Sequence, residues 1–340
     1  MKANVSVIIP VYNRLALLTS VLECVFAQTL PVLEVILIDD GSTEHRPEDV
    51  EQLINSRSEW RNRIRYRYQE NQGQSVALNL GIGMAKGDWL AFNGSDDLWL
   101  PQKLEWQLRA LDECGDECGF CFTDAWFMNN PYMKMTVFQR ALREFSGSLG
   151  VIRNPVFVAV DRNPVWAQTV IAKTEIVRRI GGFDSVLRYS EDHDFTFRMA
   201  LETSFCYVNM PMVLIDRAPA DIRHVGEARN WHKVEFCLRM DQHRFEKQLS
   251  LSDGLPTDVC RAIRANLRSV HSHWATCHLR NRDYSKAVES MRTAARYNCT
   301  ANIALKWMLT RVAPKLTRTI FMIRDESGDP RHDRASWRTA

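Results

Sequence analysis

No apolar run in this 340-residue chain approaches the ~18 residues that a membrane-spanning helix needs. No Gly-x4-Gly-Lys-Ser/Thr stretch occurs, which excludes a P-loop nucleotidase. The first strand pattern is not followed by a glycine-rich basic loop either. Tyr12-Asn13-Arg14-Leu15-Ala16 stands there instead, which argues against a nucleotidyltransferase. Charge of one sign is scarce: 44 Lys and Arg against 41 Asp and Glu leave +3, too little to suggest nucleic acid. Met1-Lys2-Ala3-Asn4 runs straight into a strand pattern, so no signal peptide is expected. The nine cysteines are odd in number and scattered, which favours reduced thiols in a cytosolic setting. Only Cys114, Cys118 and Cys121 cluster. They read either as zinc ligands needing a distant fourth or as small buried hydrophobes, and the spacing favours the second.

What is present reads as a globular α/β protein. Apolar content of 45% and charged content of 25% are ordinary, and the length supports two or three structural units. Lys86 to Trp99 is the most informative stretch. Trp89 to Phe92 forms a short buried strand pattern, and Asn93-Gly94-Ser95-Asp96-Asp97 follows as a turn carrying two acids. Hard oxygen ligands on such a turn suit Mg2+ or Mn2+, which share their coordination with substrate phosphates. The plain alternative is a solvated turn capping the helix that Pro101 begins. Three more segments decide between them. Val5 to Val11 is a continuous apolar strand ending in Tyr12-Asn13-Arg14, with a helix pattern from Leu15 to Phe26. Val35 to Ile38 ends in Asp39-Asp40-Gly41-Ser42, and a third strand, Ile64 to Gln69, leads into Asn71 to Gly81. Polar clusters recur at successive strand ends in a β-α-β rhythm, as a nucleotide-phosphate site requires.

Ser6 to Asn13, Asp39 to Ser42, Asn71 to Gly81 and Gly87 to Trp99 resemble, in order, the signatures of the family 2 glycosyltransferases. Gly181-Gly182-Phe183-Asp184 followed by Glu191-Asp192-His193-Asp194 resembles the later one, so the likeness spans roughly residues 3 to 220. The resemblance implies a GT-A fold, a mixed Rossmann-like sheet flanked by helices. It also implies transfer of a sugar from a nucleotide-diphosphate donor with inversion. By that resemblance Pro10, Tyr12, Asn13, Asp40 and Asp39 hold the base and ribose. Gln74, Asn79 and Ser95 belong to the same donor site, and Asp96 with Asp97 binds the Mn2+ or Mg2+ ion. Asp192 is the general base, with Glu191, Trp99 and Trp166 on the acceptor side. The chemistry agrees: a carboxylate must take the acceptor hydroxyl's proton while a diphosphate leaves. The competing role for Asp192 is that of a helix cap.

Two departures from the family pattern stand out. Gly94 occupies the position of a usual acid, and Leu78 that of a usual arginine. Both remove charge from the diphosphate region. A second functional class therefore stays open, a nucleotide- or glycan-binding scaffold of the same fold without turnover.

Domain organisation reads as a transferase domain over 1–230, with a nucleotide half at 1–100 and an acceptor half at 101–230. Strands are expected at Phe120 to Phe127, at Trp166 to Ala172, and as a pair broken by Pro211 within Phe205 to Ile215. The segment Phe127 to Asp161 reads as a binding loop, with Trp126, Tyr132, Arg153 and Asn154 as further acceptor candidates. His224 reads as a surface loop histidine. Residues 231–324 read as a helical extension, with one tetratricopeptide-like helix pair near His271 to Asn298. No acid occurs from Ser290 to Arg324, while basic and apolar residues interleave. Residues 303–324 are thus a basic amphipathic helix that either packs on its own protein or lies on an anionic membrane. The tail 325–340 is polar and expected to be disordered. The expected partners are the donor and a glycan or lipid-linked acceptor, as in polysaccharide or cell-envelope synthesis, with no nucleic acid. The helical tail also offers a surface for oligomer formation. The expected location is the cytoplasm, with the membrane's inner face open as a site of peripheral contact.

Overall fold

The computed structural model describes residues 4–128, 134–216 and 231–319. The chain divides into two compact units, Met1–Pro219 and Ala220–Ala340. The first unit opens with β1 (Val5–Val11), α1 (Leu15–Phe26), β2 (Glu34–Asp40), α2 (Pro47–Asn55) and α3 (Ser58–Arg63). Next come β3 (Ile64–Gln69), α4 (Gln74–Met84), β4 (Trp89–Phe92), β5 (Leu98–Trp99) and α5 (Lys103–Cys114). It continues through β6 (Cys118–Met128), α6 (Val137–Arg140), β7 (Leu149–Ile152), α7 (Val156–Val160) and β8 (Val170–Lys173). It ends with α8 (Thr174–Arg179), α9 (Glu191–Ala200) and β9 (Ser204–Asp216).

Among the described residues nine strands form one mixed sheet in the order β3-β2-β1-β4-β8-β6-β9-β5, with β7 paired to β9. β1 is parallel to β2 and β4, and β3 is parallel to β2. β1 and β2 are buried on both faces, which is why they read as continuous apolar runs. β8 runs antiparallel to both β4 and β6, so β6 and its parallel neighbour β9 return to the direction of β4. The carboxyl ends of β1, β2, β3, β4, β6 and β9 therefore share one edge. Open α/β sheets bind ligands at such an edge. At the opposite edge Ser6 Oγ donates to Glu34 Oε1 (2.8 Å) and accepts from the Gly87 amide (2.9 Å), tying three strand starts together.

Several expectations are corrected here. Leu98–Trp99 forms β5, and α5 starts only at Lys103, so Ser95 to Asp97 do not cap that helix. Ser204–Asp216 is one strand rather than two. Pro211, which has no amide hydrogen to donate, sits at a register shift against Asp124 on β6, where a bulge absorbs it. Residues Ala167–Thr169 form a short 3-10 turn before β8 instead of extending the strand. Cys114 and Cys118 are joined as a disulfide with a Cα–Cα separation of 6.0 Å, so the expectation of reduced thiols fails for this pair. The helix end at Cys114 turns back through Gly115 and brings the two together. Cys121 is free and buried, as a small core hydrophobe should be.

The second unit contains helices Trp231–Ser250, Thr257–Arg280, Tyr284–Tyr297 and Ala301–Val312. Asp283 caps the third by accepting from the Lys286 amide (3.2 Å). Ala275, Met291 and Ile303 form a small core across the last three helices, with Ala295 and Trp307 packed against it. Tyr132, His224, residues 320–324 of the amphipathic segment and the tail 325–340 lie outside the described residues.

Lys103, in the first turn of α5, is fully buried. Its Nζ donates to Gln107 Oε1 (2.9 Å) and sits 3.9 Å above the Trp99 ring, and among the described residues it makes no ion pair. Burial disfavours the charged form and pushes its pKa down to about 7. The unfolded chain, with an ordinary lysine pKa of ~10.4, then binds a proton that the folded chain lacks between those values. Stability from this group should therefore rise with pH from about 7 to about 10, by up to ~1.4 kcal/mol per pH unit. Lys103→Met should be more stable than the parent at pH 7, with the difference shrinking toward pH 10, in urea unfolding across that range.

Candidate active site

The ends of β1 and β2 are laced to each other. Asn13 adopts a left-handed backbone (φ 53°). Its amide donates to Ser42 Oγ (3.0 Å), while its Oδ1 accepts from the Thr43 and Glu44 amides (2.7 and 3.1 Å). Asp39 is buried: Oδ1 accepts from the Ser42 amide (2.9 Å) and Oδ2 from the Tyr66 hydroxyl (3.2 Å), with His45 Nε2 at 3.3 Å. Burial and the adjacent Asp39 push the Tyr66 phenol above its usual range, which keeps it a donor. Asp40 is also buried and accepts from Gln69 Nε2 (2.7 Å) and from the Gln72 and Gly73 amides (both 2.9 Å). These three residues shape the rim through internal bonds. Half-buried Pro10 pairs with Ile38 on the neighbouring strand β2, whereas Tyr12 is 47% exposed and Gln74 is exposed at the first turn of α4.

The turn after β4 carries the acidic pair. Asp96 is paired with Arg14 NH1 at 2.9 Å, with both side chains partly exposed. Asp97 is buried and accepts from the Asp216 amide through Oδ1 (3.0 Å), which ties the turn to the end of β9. Ser95 is buried as well. Asn93 donates through Nδ2 to the Asp97 carbonyl (3.1 Å), yet its Oδ1 is buried without a hydrogen-bond partner. A Cβ on Gly94 would fall 2.5 Å from Asp97 Oδ2 and 2.9 Å from Asp96 Oδ1, so glycine lets the two carboxylates fold over it. Among the described residues no three His, Cys, Asp or Glu side chains gather around a common point. The single partly exposed carboxylate of Asp96 fits a divalent ion that draws most ligands from a diphosphate and water. It does not fit a cage closed by protein.

The start of α9 is fastened beneath this turn. Phe92, the last residue of β4, meets the Phe183 and Phe195 rings edge-on at 5.2 and 5.6 Å, and those two stack at 4.4 Å. Asn79 on α4 donates to the Phe183 carbonyl (2.8 Å) and accepts from its amide (2.7 Å). One turn earlier Ser75 Oγ donates to the Leu187 carbonyl (2.7 Å). Gly182 has φ +68°, and a Cβ there would come 2.3 Å from Asn79 Oδ1, so the clamp requires glycine. Within α9 the buried Asp194 and Arg198 pair at 2.7 Å, and Arg198 also donates to the Ile180 carbonyl (2.8 Å). Ser190, in a left-handed conformation, takes the cap position. Glu191 and Asp192 follow, both half-buried, and Asp192 Oδ1 accepts from the next amide, His193 (2.8 Å). Ser190 makes no side-chain capping bond, so the carboxylate that accepts a first-turn amide of α9 is that of Asp192 itself, and the capping role stays compatible with its place.

The acceptor candidates separate. Trp99 is 3% exposed, donates through Nε1 to the Gln168 carbonyl (3.1 Å), and belongs to the core. Trp166 is half-buried, 5.7 Å edge-on to Phe127, with the Arg140 guanidinium 5.9 Å from its ring. Trp126, at the carboxyl end of β6, is 42% exposed. Arg153 is exposed and paired with Glu117 (3.3 Å). Sequence reasoning missed Arg14 on Asp96, the Asn79 clamp and Arg140. It also missed Arg188, an exposed guanidinium lying against Gly73 at the start of α4.

The sequence model of the family described as Glycosyl transferase family 2 matches residues 6–161. A glycosyltransferase of Rickettsia bellii is 45% identical over 111 residues, covering 33% of this chain and 15% of that protein. Another, of Rickettsia typhi, is 28% identical over 218 residues, 63% of each chain. The chain thus spans less than two thirds of these curated relatives. Among solved structures, S. aureus TarS 1–349 in complex with UDP-GlcNAc has a TM-score of 0.53 at 15% identity, covering 86% of this chain and 90% of that one. The Pyrobaculum calidifontis mannosyltransferase PcManGT, in complex with GDP-Man and Mn2+, has a TM-score of 0.53 at 19% identity, covering 96% and 85%. At these identities the likeness establishes the fold.

Asn79→Ala would leave the buried amide and carbonyl of Phe183 without partners, at a cost of about 2 kcal/mol. Chemical denaturation should show that loss. Hydrogen exchange should show faster opening of the segment from Phe183 to Asp192 than in the parent.

Proposed function

We propose that this chain, whose first domain belongs to glycosyltransferase family 2 and has the GT-A fold, transfers a sugar from a nucleotide-diphosphate donor to an acceptor hydroxyl with inversion. The single observation behind this reading is the shared edge. The turns after β1, β2 and β4, the start of α9 and the exposed end of β6 meet where the sheet presents six strand ends. The donors bound by the structural neighbours, UDP-GlcNAc and GDP-Man, support the donor class.

In this reading the base and ribose lie on Tyr12 and Pro10, over rims held by Asn13, Asp39 and Asp40. The diphosphate lies between the Asp96 turn, with Ser95, and the amino-terminal turn of α4 at Gln74. A helix start favours anions there. Asp96, with substrate oxygens, would hold a Mg2+ or Mn2+ ion, and such an ion would stabilise the charge that develops on the leaving diphosphate. Arg14 then leaves Asp96, and an exposed ion pair of this kind costs under about 1 kcal/mol to break. Arg14 and Arg188 supply the positive charge that Leu78 withholds. Asp97 braces the turn against β9. Asp192 accepts the acceptor hydroxyl's proton as that oxygen attacks the anomeric carbon, on the face opposite the diphosphate. Trp126 and Trp166 offer ring faces to an acceptor glycan, and Glu191 accepts hydrogen bonds from its hydroxyls. Synthesis of a cell-envelope polysaccharide or glycolipid glycan is the setting this supports.

The scaffold reading retains one observation in its favour, the glycine at position 94. Asp192→Asn decides between them. Turnover of a nucleotide sugar should fall by about a thousandfold while the donor still raises the melting temperature. Unchanged turnover would remove Asp192 as the base, and no turnover in the parent with any donor would favour the scaffold.

A further inference from the structure

The last described helix presents two faces of different character. Ile303 is buried in the small core with Ala275 and Met291, Trp307 packs against that core, and Thr310 and Thr317 are buried along the same side. The unit's own packing need is met by this face. The other face carries Leu305, Met308, Val312 and Leu316, exposed by 50, 55, 77 and 57%. Leu305, Met308 and Val312, spaced three and four residues apart, line one side of the helix Ala301–Val312, and Leu316 is exposed on the helical residues 314–319 that follow a break at Ala313. Three large apolar side chains on one open stripe, with a fourth one turn beyond the break, form more than the scattered exposure usual on soluble proteins. Arg311 and Lys315 are exposed beside Val312 and Leu316, and no acid occurs between Ser290 and Arg324. The sequence goes on as Ile320-Phe321-Met322-Ile323-Arg324, the same mixture.

We infer that this stripe is a surface for docking on an anionic lipid bilayer, with the apolar side chains entering the interface and the flanking cations meeting phosphate headgroups. Charge selects this occupant. A second copy of the chain would set Arg311 and Lys315 against their own counterparts, and a neutral apolar groove would give the cations nothing to meet. No helix among the described residues is long and apolar enough to cross a membrane, so the contact is peripheral. The inference goes beyond the transferase reading. Joined to it, the surface would hold the enzyme where a lipid-linked acceptor lies.

The test is co-sedimentation of the full chain with vesicles of phosphatidylglycerol and phosphatidylcholine in equal parts, at low salt. Binding is expected, about tenfold weaker to phosphatidylcholine alone and weakened by added salt. Leu305→Ser with Met308→Ser, and separately Arg311→Glu with Lys315→Glu, should each reduce binding about tenfold without moving the thermal midpoint, because these side chains are exposed. No binding to the anionic vesicles overturns the proposal, as does binding that neither pair of substitutions alters. Concentration-dependent self-association that Leu305→Ser abolishes would assign the stripe to a second copy instead. The vesicles are tested without donor and nucleotide binding without vesicles, so this inference and the transferase reading fail separately.

Discussion

The stack of Phe92, Phe183 and Phe195 is the contact on which the site depends. Phe92 closes β4 and so fixes where the acidic turn begins, while Phe195 lies three residues beyond Asp192. The ring between them belongs to the loop that Asn79 and Ser75 clamp from α4. Aromatic pairs at these separations add about 0.5–1.5 kcal/mol each beyond area burial, and the two hydrogen bonds to Phe183 fix its backbone. Two carboxylates far apart in sequence, Asp96 and Asp192, are thus carried on elements joined through a single buried joint. The Asp194–Arg198 pair serves the same end from inside α9, holding the helix to the Ile180 carbonyl.

Around that joint the distribution of charge is unusual for the diphosphate site proposed here. An acid is absent at Gly94 and a cation is absent at Leu78, which is buried in α4. The structure places guanidinium groups elsewhere, Arg14 on Asp96 and Arg188 beside Gly73. Asp96 is therefore paired with a cation that a partly exposed pair holds only weakly. In the proposed reading, an incoming diphosphate and its cation would meet a carboxylate whose partner is itself suited to phosphate, since a guanidinium forms charge-assisted bonds to such oxygens.

The fold's first hundred residues were legible because parallel strands buried on both faces are continuous apolar runs. Val5 to Val11 was found at its observed limits on that ground, and the half-exposed edge strand Ile64 to Gln69 and the helix from Leu15 to Phe26 were found at theirs as well. The acidic turn was legible from Asp96 and Asp97 at a strand end. What escaped the sequence lies in long-range pairing. Asn79 offers no local sign that it will bond Phe183, 104 residues away, rather than a phosphate. Asp39, Asp40 and Trp99 were read as facing ligand. Tyr66, Gln69 and Gln168, their partners, come from strands and turns whose register the sequence does not display. Pro211 signalled a strand break because proline lacks an amide hydrogen, yet a bulge in β9 itself, around Pro211, made the break unnecessary. The Cys114–Cys118 bond depended on a turn at Gly115 that a count of thiols does not reveal.

The central claim is that one sheet edge holds a nucleoside diphosphate. The most direct measurement is the melting temperature of the full chain with UDP, GDP, dTDP or CMP, each with and without Mn2+. A ligand at ~100 times its Kd adds about 2.7 kcal/mol of stability if it binds only the folded state. The account predicts a clear rise for one nucleoside diphosphate, larger with Mn2+ than without, and none for CMP. No rise with any nucleotide, with or without the metal, would contradict it.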